Sequence, residues 1–142
     1  MARTALIEKH GGPKEFRIVE REVGDPGPGE IRIRHHACGL NFIDVYHRSG
    51  LYPLPLPTGI GLEGAGIVEA AGEGAEFSVG ERVVYCAAGF GAYSEALNLP
   101  AARLVGIPEA IDFDTAAIVA AELGYEATLE VIDQVETEEV GE

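Results

Sequence analysis

The chain has 142 residues, enough for one domain with its own core and too few for two of full size. Its 24 acidic residues against 10 basic ones leave a net charge of −14, which argues against nucleic acid and against an anionic membrane surface as partners. No apolar run approaches the roughly 20 residues of a membrane span, and charges recur too often near the start for a signal peptide, so a cytoplasmic protein is expected. Cys38 and Cys86 can form one bridge at most, which fits a reducing compartment.

Nineteen glycines and eight prolines favour many short strands joined by turns. Over the first hundred residues, turn signals recur at about ten-residue spacing, as in an all-β sandwich or barrel. In chain order, Thr4 to Glu8 is a strand ending at Gly11-Gly12-Pro13, and Phe16 to Val23 is a second ending at the Asp25 to Gly29 cluster. Ile31 and Ile33 alternate with Arg32 and Arg34, a half-buried strand leading to Cys38. Asn41 is placed to cap a short helix that runs through Arg48. Further strands are expected at Ile67 to Ala71, Arg82 to Ala87, Ala92 to Leu97 and Leu104 to Ile107.

Beyond Pro108 the period changes. Asp114 and Thr115 offer an N-cap, and Ile118, Ala121, Tyr125, Leu129 and Ile132 form an apolar stripe at helical spacing, weakened by Gly124. The charge is concentrated here: residues 101–142 hold 11 acids and one base, against 13 acids and 9 bases before them. The acidity is therefore that of a solvated helix face and tail.

Chemistry-bearing side chains concentrate between Cys38 and Pro53. The plain structural reading pairs Asp44 with Arg48 across one helical turn and packs Phe42 on Tyr46. The functional reading is a polar pocket for a small planar ligand, with phenols as proton donors. His35, His36 and His47 read as surface or strand residues.

Two motifs invite over-reading. Gly59-x-Gly61-x-x-Gly64 has the letters of a dinucleotide loop, but a proline-rich segment precedes it and a strand-like run follows, where a strand and then a helix are required. Cys38 and Glu63 supply two candidate zinc ligands without a convincing third, and Cys86 reads as a small buried hydrophobe.

Taken together, His10-Gly-Gly-Pro13, the long segment from Pro26 to Pro57 that contains NFIDVYHRSGLYP, GLEGAGIVEAAGEGA from Gly61 and VGERVVY from Val79 resemble the quinone oxidoreductase (zeta-crystallin) branch of the medium-chain dehydrogenase/reductase superfamily. The resemblance implies a mainly β, GroES-like, partly open barrel over residues 1–113, flanked by helices. Residues 114–142 then form an acidic helix and tail that lead to where a Rossmann domain would begin. It implies a zinc-independent enzyme, because Leu62 stands where zinc-dependent relatives carry a histidine. Asn41, Asp44 and Tyr52 match substrate-side positions, and Asn41, Phe42, Ile43, Asp44, Val45 and Tyr46 match a stretch that contacts the cofactor. Asp44 is expected to fix this loop through Arg48.

The implied reaction is hydride transfer from NADPH to a quinone or enone. The chain departs from the family pattern where Glu122 to Thr128 replaces a KGLTA-like segment, and it ends before the glycine-rich element of the nucleotide domain. It is accordingly expected to bind no NADPH alone and to be inactive alone, needing a Rossmann-domain partner or forming a homodimer. The alternative is a non-enzymatic GroES-like interaction module; a metal-dependent alcohol dehydrogenase stands third.

Overall fold

The structure, a computed structural model, describes residues 1–120. Two antiparallel sheets make up the fold. The smaller holds β1 (Ala2–Ile7), β2 (Phe16–Arg21) and β4 (Thr58–Gly59) in the order β2-β1-β4. The larger holds β3 (Glu30–Cys38), β5 (Glu63–Ala71), β6 (Arg82–Cys86), β7 (Ala96–Pro100) and β8 (Leu104–Gly106) in the order β7-β3-β5-β6-β8. Helix α1 (Phe42–Ser49) joins β3 to β4, and residues 113–120 form a second helix, α2. Both sheets are open at their edges, the partly open GroES-like arrangement that the sequence implies.

The strand expectations hold with shifted ends. The largest shift concerns residues 92–97: β7 begins only at Ala96, because residues 91–95 serve as a seam between the sheets. There Gly91 and Ala92 N–H donate to the Gly61 carbonyl, Tyr93 N–H to Ile60, Glu95 N–H to Arg3, and Glu95 in turn accepts from His35 N–H. Ala5 N–H donates to the Tyr93 carbonyl at 2.8 Å. One short segment thus satisfies backbone groups of both sheets, which must otherwise stay wet.

The core lies under the larger sheet. Ile31, Ile33, Val68, Val83, Tyr85 and Leu99 are fully buried, Ile31 and Ile33 facing inward while Arg32 and Arg34 face out to Glu69, as the alternation predicts. Centre strands β3 and β5 approach closely because β5 carries glycines. A Cβ on Gly66 would lie 2.0 Å from the Arg34 carbonyl oxygen, and one on Gly64 would lie 2.7 Å from the His35 ring. The third glycine of the dinucleotide-like motif is thus inside a strand, opposite Tyr85, rather than opening a helix.

The close approach admits His35 into the core. Its Nδ1 lies 2.8 Å from the Ser94 carbonyl, and its Nε2 lies 2.8 Å from the Tyr85 hydroxyl. A carbonyl only accepts, so Nδ1 carries the proton, Nε2 accepts, and Tyr85 donates. His35 is therefore a half-buried, doubly bonded residue rather than a surface one, and burial holds its pKa down to about 4.

Helix α2 corrects the sequence reading at its start. Asp112, not Asp114 or Thr115, is the cap: its Oδ1 accepts the Thr115 N–H at 2.7 Å. The buried side is made by Ala116 and Ala117 with half-buried Phe113, which pack on Ala65 and Ile107, whereas Ile118 is 61% exposed. Arg82 secures the approach, lying over the Phe113 ring and donating to the Pro108 and Ile111 carbonyls. The expected stripe from Ala121 to Ile132 and the acidic tail fall outside the described residues.

The neutral His35 makes stability depend on pH. Below its ordinary value of 6.5 the unfolded chain takes up a proton that the folded chain refuses until about 4, so acid destabilises the fold across that window. The expected loss is about 3 kcal/mol. Burial shifts His47 downward in the same sense and Glu63 upward in the opposite one. Urea unfolding followed from neutral to acid pH measures the sum, and His35→Gln should flatten the curve by His35's share.

Candidate functional site

Helix α1 organises the site because its first turn is closed by its own sequence. Asn41 and Asp44 form a capping box: Asn41 turns its side chain to the Asp44 N–H, and Asp44 Oδ2 accepts the Asn41 N–H at 3.0 Å. The helix ends at Gly50, whose φ of +88° suits a residue without a side chain. Gly11 and Arg48 exchange bonds at the other end, Gly11 N–H to the Arg48 carbonyl and Arg48 Nε to the Gly11 carbonyl.

This geometry overturns the expected Asp44–Arg48 pair. Asp44 points inward, 3% exposed, and its Oδ2 also accepts the Tyr93 hydroxyl at 2.6 Å. Arg48 instead holds the turn after β1. The loop is thus fixed through Tyr93, a seam residue, and through the Asn41 backbone. Burial, and then the bond to Asp44, raise the Tyr93 pKa far above the phenol range, so it remains the donor.

Phe42 does not pack on Tyr46 either. It is 80% exposed, while Tyr46 meets Tyr52 edge to face at 5.5 Å between centroids. Tyr52 and Val45 are also exposed, and Ile43 is half-buried. The candidate residues therefore divide: half-buried Asn41 and buried Asp44 come together at the start of α1, and Phe42, Val45, Tyr46 and Tyr52 are exposed and mostly apolar.

Three groups stand differently from the sequence reading, which offered Glu63 only as a zinc ligand, took His47 for a surface or strand residue and left half-buried Tyr93 unmarked. Glu63 is 3% exposed and lies across Gly39, where an added Cβ would fall 1.4 Å from its Oε1. Burial, the larger effect, raises its pKa, and the Asn41 amide opposes that rise. His47 is 6% exposed, set against the edge of Phe90 at 5.2 Å, with its pKa lowered by burial. Tyr93 is the third.

Beside them Cys38 Sγ donates to the Ala92 carbonyl, and burial pushes its thiol up to about 11, so it is no ready nucleophile. Glu63 Oε2, Asp44 Oδ1 and His47 Nδ1 have no hydrogen-bond partner within the protein. Among the described residues no three His, Cys, Asp or Glu side chains converge in a way that could hold a metal ion. A lone acid between glycines in GIGLEGAGIV is the signal that could have marked Glu63 as buried. Nothing local marks Tyr93.

Two substitutions test this geometry. Tyr93→Phe leaves the Asp44 carboxylate without its short bond and should cost about 2 kcal/mol in urea unfolding. Gly39→Ala should destabilise by more than about 2 kcal/mol by displacing Glu63, and by clearly less in a Glu63→Ala background. Additive losses would mean that the two residues do not share this space.

Comparison with known proteins agrees with this architecture. The model of the family described as "Alcohol dehydrogenase GroES-like domain" matches residues 27–109, more than half of the chain. A quinone oxidoreductase of Pseudomonas aeruginosa is 50% identical over 121 residues, covering 84% of this chain and 37% of the relative. A 2-haloacrylate reductase of a Burkholderia species is 45% identical over 120 residues, covering 80% of this chain and 36% of the relative. The crystal structure of Escherichia coli quinone oxidoreductase complexed with NADPH superposes with a TM-score of 0.79 at 45% identity, covering 81% of this chain and 36% of that one. The chain spans little more than a third of the length of these relatives. It belongs to the alcohol dehydrogenase GroES-like domain family, and within it resembles the quinone oxidoreductases.

Proposed function

We propose that this chain is the substrate-side portion of a zinc-independent, NADPH-dependent reductase of quinones or enones, acting in the cytoplasm with a nucleotide-binding unit. The observation that carries the reading is the rigid Asn41–Asp44 turn set beside the open surface of Tyr46 and Tyr52. A polar, pre-positioned amide next to exposed aromatic edges suits a flat ligand with carbonyl oxygens.

The residues present fit the nicotinamide end of NADPH rather than its phosphates. Asn41 to Tyr46 offer an amide and apolar side chains, whereas the glycines of residues 59–64 run into β5 and make no helix N-terminus. NADPH, when bound, supplies the hydride. Asn41 orients the carbonyl group and Tyr52, with Tyr46, offers a phenol to the oxygen as it gains charge. Asp44 acts from behind, holding Asn41 through the backbone and Tyr93 through its hydroxyl. Residues 1–113 form the working unit, residues 114–142 lead toward the nucleotide-binding unit, and the expected association is with a Rossmann-domain partner or as a homodimer.

The test mixes the purified chain with the separately produced nucleotide-binding remainder of the Pseudomonas aeruginosa relative and follows NADPH absorbance with 1,4-benzoquinone. The chain alone should leave NADPH unoxidised and its fluorescence unchanged. The mixture should oxidise it, and Asn41→Ala should lower kcat/KM by about tenfold or more. Folded parts that never oxidise NADPH together would sink this reading and favour an interaction module.

A further inference from the structure

A second opening lies between the two sheets, apart from the surface around α1. It is a cleft of about 160 Å³ bounded by β1, the end of β2, β4, the seam and β7, and no residue of α1 lines it. A cavity of roughly 150 Å³ takes benzene, so this one has room for about six to eight heavy atoms. Phe90 marks its boundary with the site described above: it lines the cleft, and its ring stands 5.2 Å from that of His47.

The fold makes no use of the polar groups gathered here. Thr4 on β1 is only 7% exposed and lines the cleft, yet its hydroxyl makes no hydrogen bond among the described residues. It is therefore a free donor and acceptor. Arg21 ends β2 and Glu22 follows it. Both line the cleft, both are exposed, and among the described residues neither forms an ion pair, with the other or with any third group. The contrast with the neighbouring arginines is sharp: Arg3 on β1, Arg17 on β2 and Arg32 and Arg34 on β3 each face a carboxylate. Two unpaired charges of opposite sign thus stand at one small opening, with Phe90 and Leu97 as its apolar wall.

We propose that this cleft binds a small zwitterion of the amino-acid type, with its carboxylate on Arg21 and the Thr4 hydroxyl, its ammonium on Glu22, and a branched apolar side chain against Phe90 and Leu97. The charges select against simpler ions. The chain's net charge of −14 repels a free carboxylate at a distance and Glu22 repels it at the rim, while Arg21 repels a plain cation. A neutral zwitterion escapes the long-range term and satisfies both side chains. Valine, with about eight heavy atoms, matches the free volume. None of this rests on the reductase reading.

The backbone amide resonances of Gly59, Gly91 and Ser94 in the intact chain read the site during titration with L-valine, and they should shift in a saturable way. 3-Methylbutanoate keeps the carboxylate and the carbon skeleton without the ammonium, and 2-methylpropylamine keeps the ammonium without the carboxylate. Each should bind at least about tenfold more weakly than L-valine. Arg21→Gln and Glu22→Gln, both at exposed positions, should keep the amide spectrum of the folded chain and weaken L-valine by a similar factor. Thr4→Val removes a hydroxyl that has no protein partner to lose, so it should weaken L-valine several-fold without lowering the urea midpoint. No saturable shift with L-valine, or equal binding by the wild-type chain and both charge variants, would overturn the site. Equal binding of 3-methylbutanoate and L-valine would overturn the zwitterion and leave Arg21 as an anion site alone.

Discussion

The short segment from Gly91 to Glu95 bears on every other part of this molecule. Its backbone bonds to β1, to the residues after β4 and to β3, so it is the place where two open sheets become one body. A bridge of main-chain groups is insensitive to which side chains it carries, and that freedom is used. Ser94 offers its carbonyl to His35, Ala92 offers its carbonyl to Cys38, and Tyr93 sends its hydroxyl to Asp44. The same five residues thus fix the histidine tautomer in the core and the carboxylate at the head of α1.

Close backbone approach is the second constraint. Gly64 and Gly66 let β5 lie against β3 with the His35 ring between them, and Gly39 leaves the volume that Glu63 fills. Glycine here is needed for space rather than for a special dihedral. The result is a partly buried cluster of Glu63, Asp44, Tyr85, Tyr93 and two cysteines, in which burial shifts Glu63, the phenols and the thiols toward their uncharged forms. Such a cluster is rigid because each polar group has few alternatives, and rigidity is what a site that orients a ligand requires.

Against this interior stands an unusually apolar exterior around α1. Leu40, Phe42, Leu51 and Tyr52 are more than half exposed, although two of them flank or begin a helix whose other face is buried. Large exposed apolar groups beside a preorganised polar turn are the surface on which the proposed ligand reading rests.

Much of the fold was legible without coordinates, since it follows from local rules. Alternation placed Ile31 and Ile33 inward, glycine and proline punctuation separated the strands, and Asn41 announced the start of α1. The motif around Asn41 also marked where the chemistry-bearing side chains concentrate. What local rules could not supply was the set of partners. Asp44 and Arg48 stand one turn apart and look paired, yet Asp44 is turned inward to a tyrosine 49 residues away, and Arg48 reaches the turn after β1. Glu63 looked like half of a zinc site and is a buried carboxylate lying across Gly39. Sequence determined which segments are strands and helices, because those depend on neighbours along the chain. Only tertiary structure decided which polar groups lose water together, because burial and partnership depend on segments that the chain brings together from far apart.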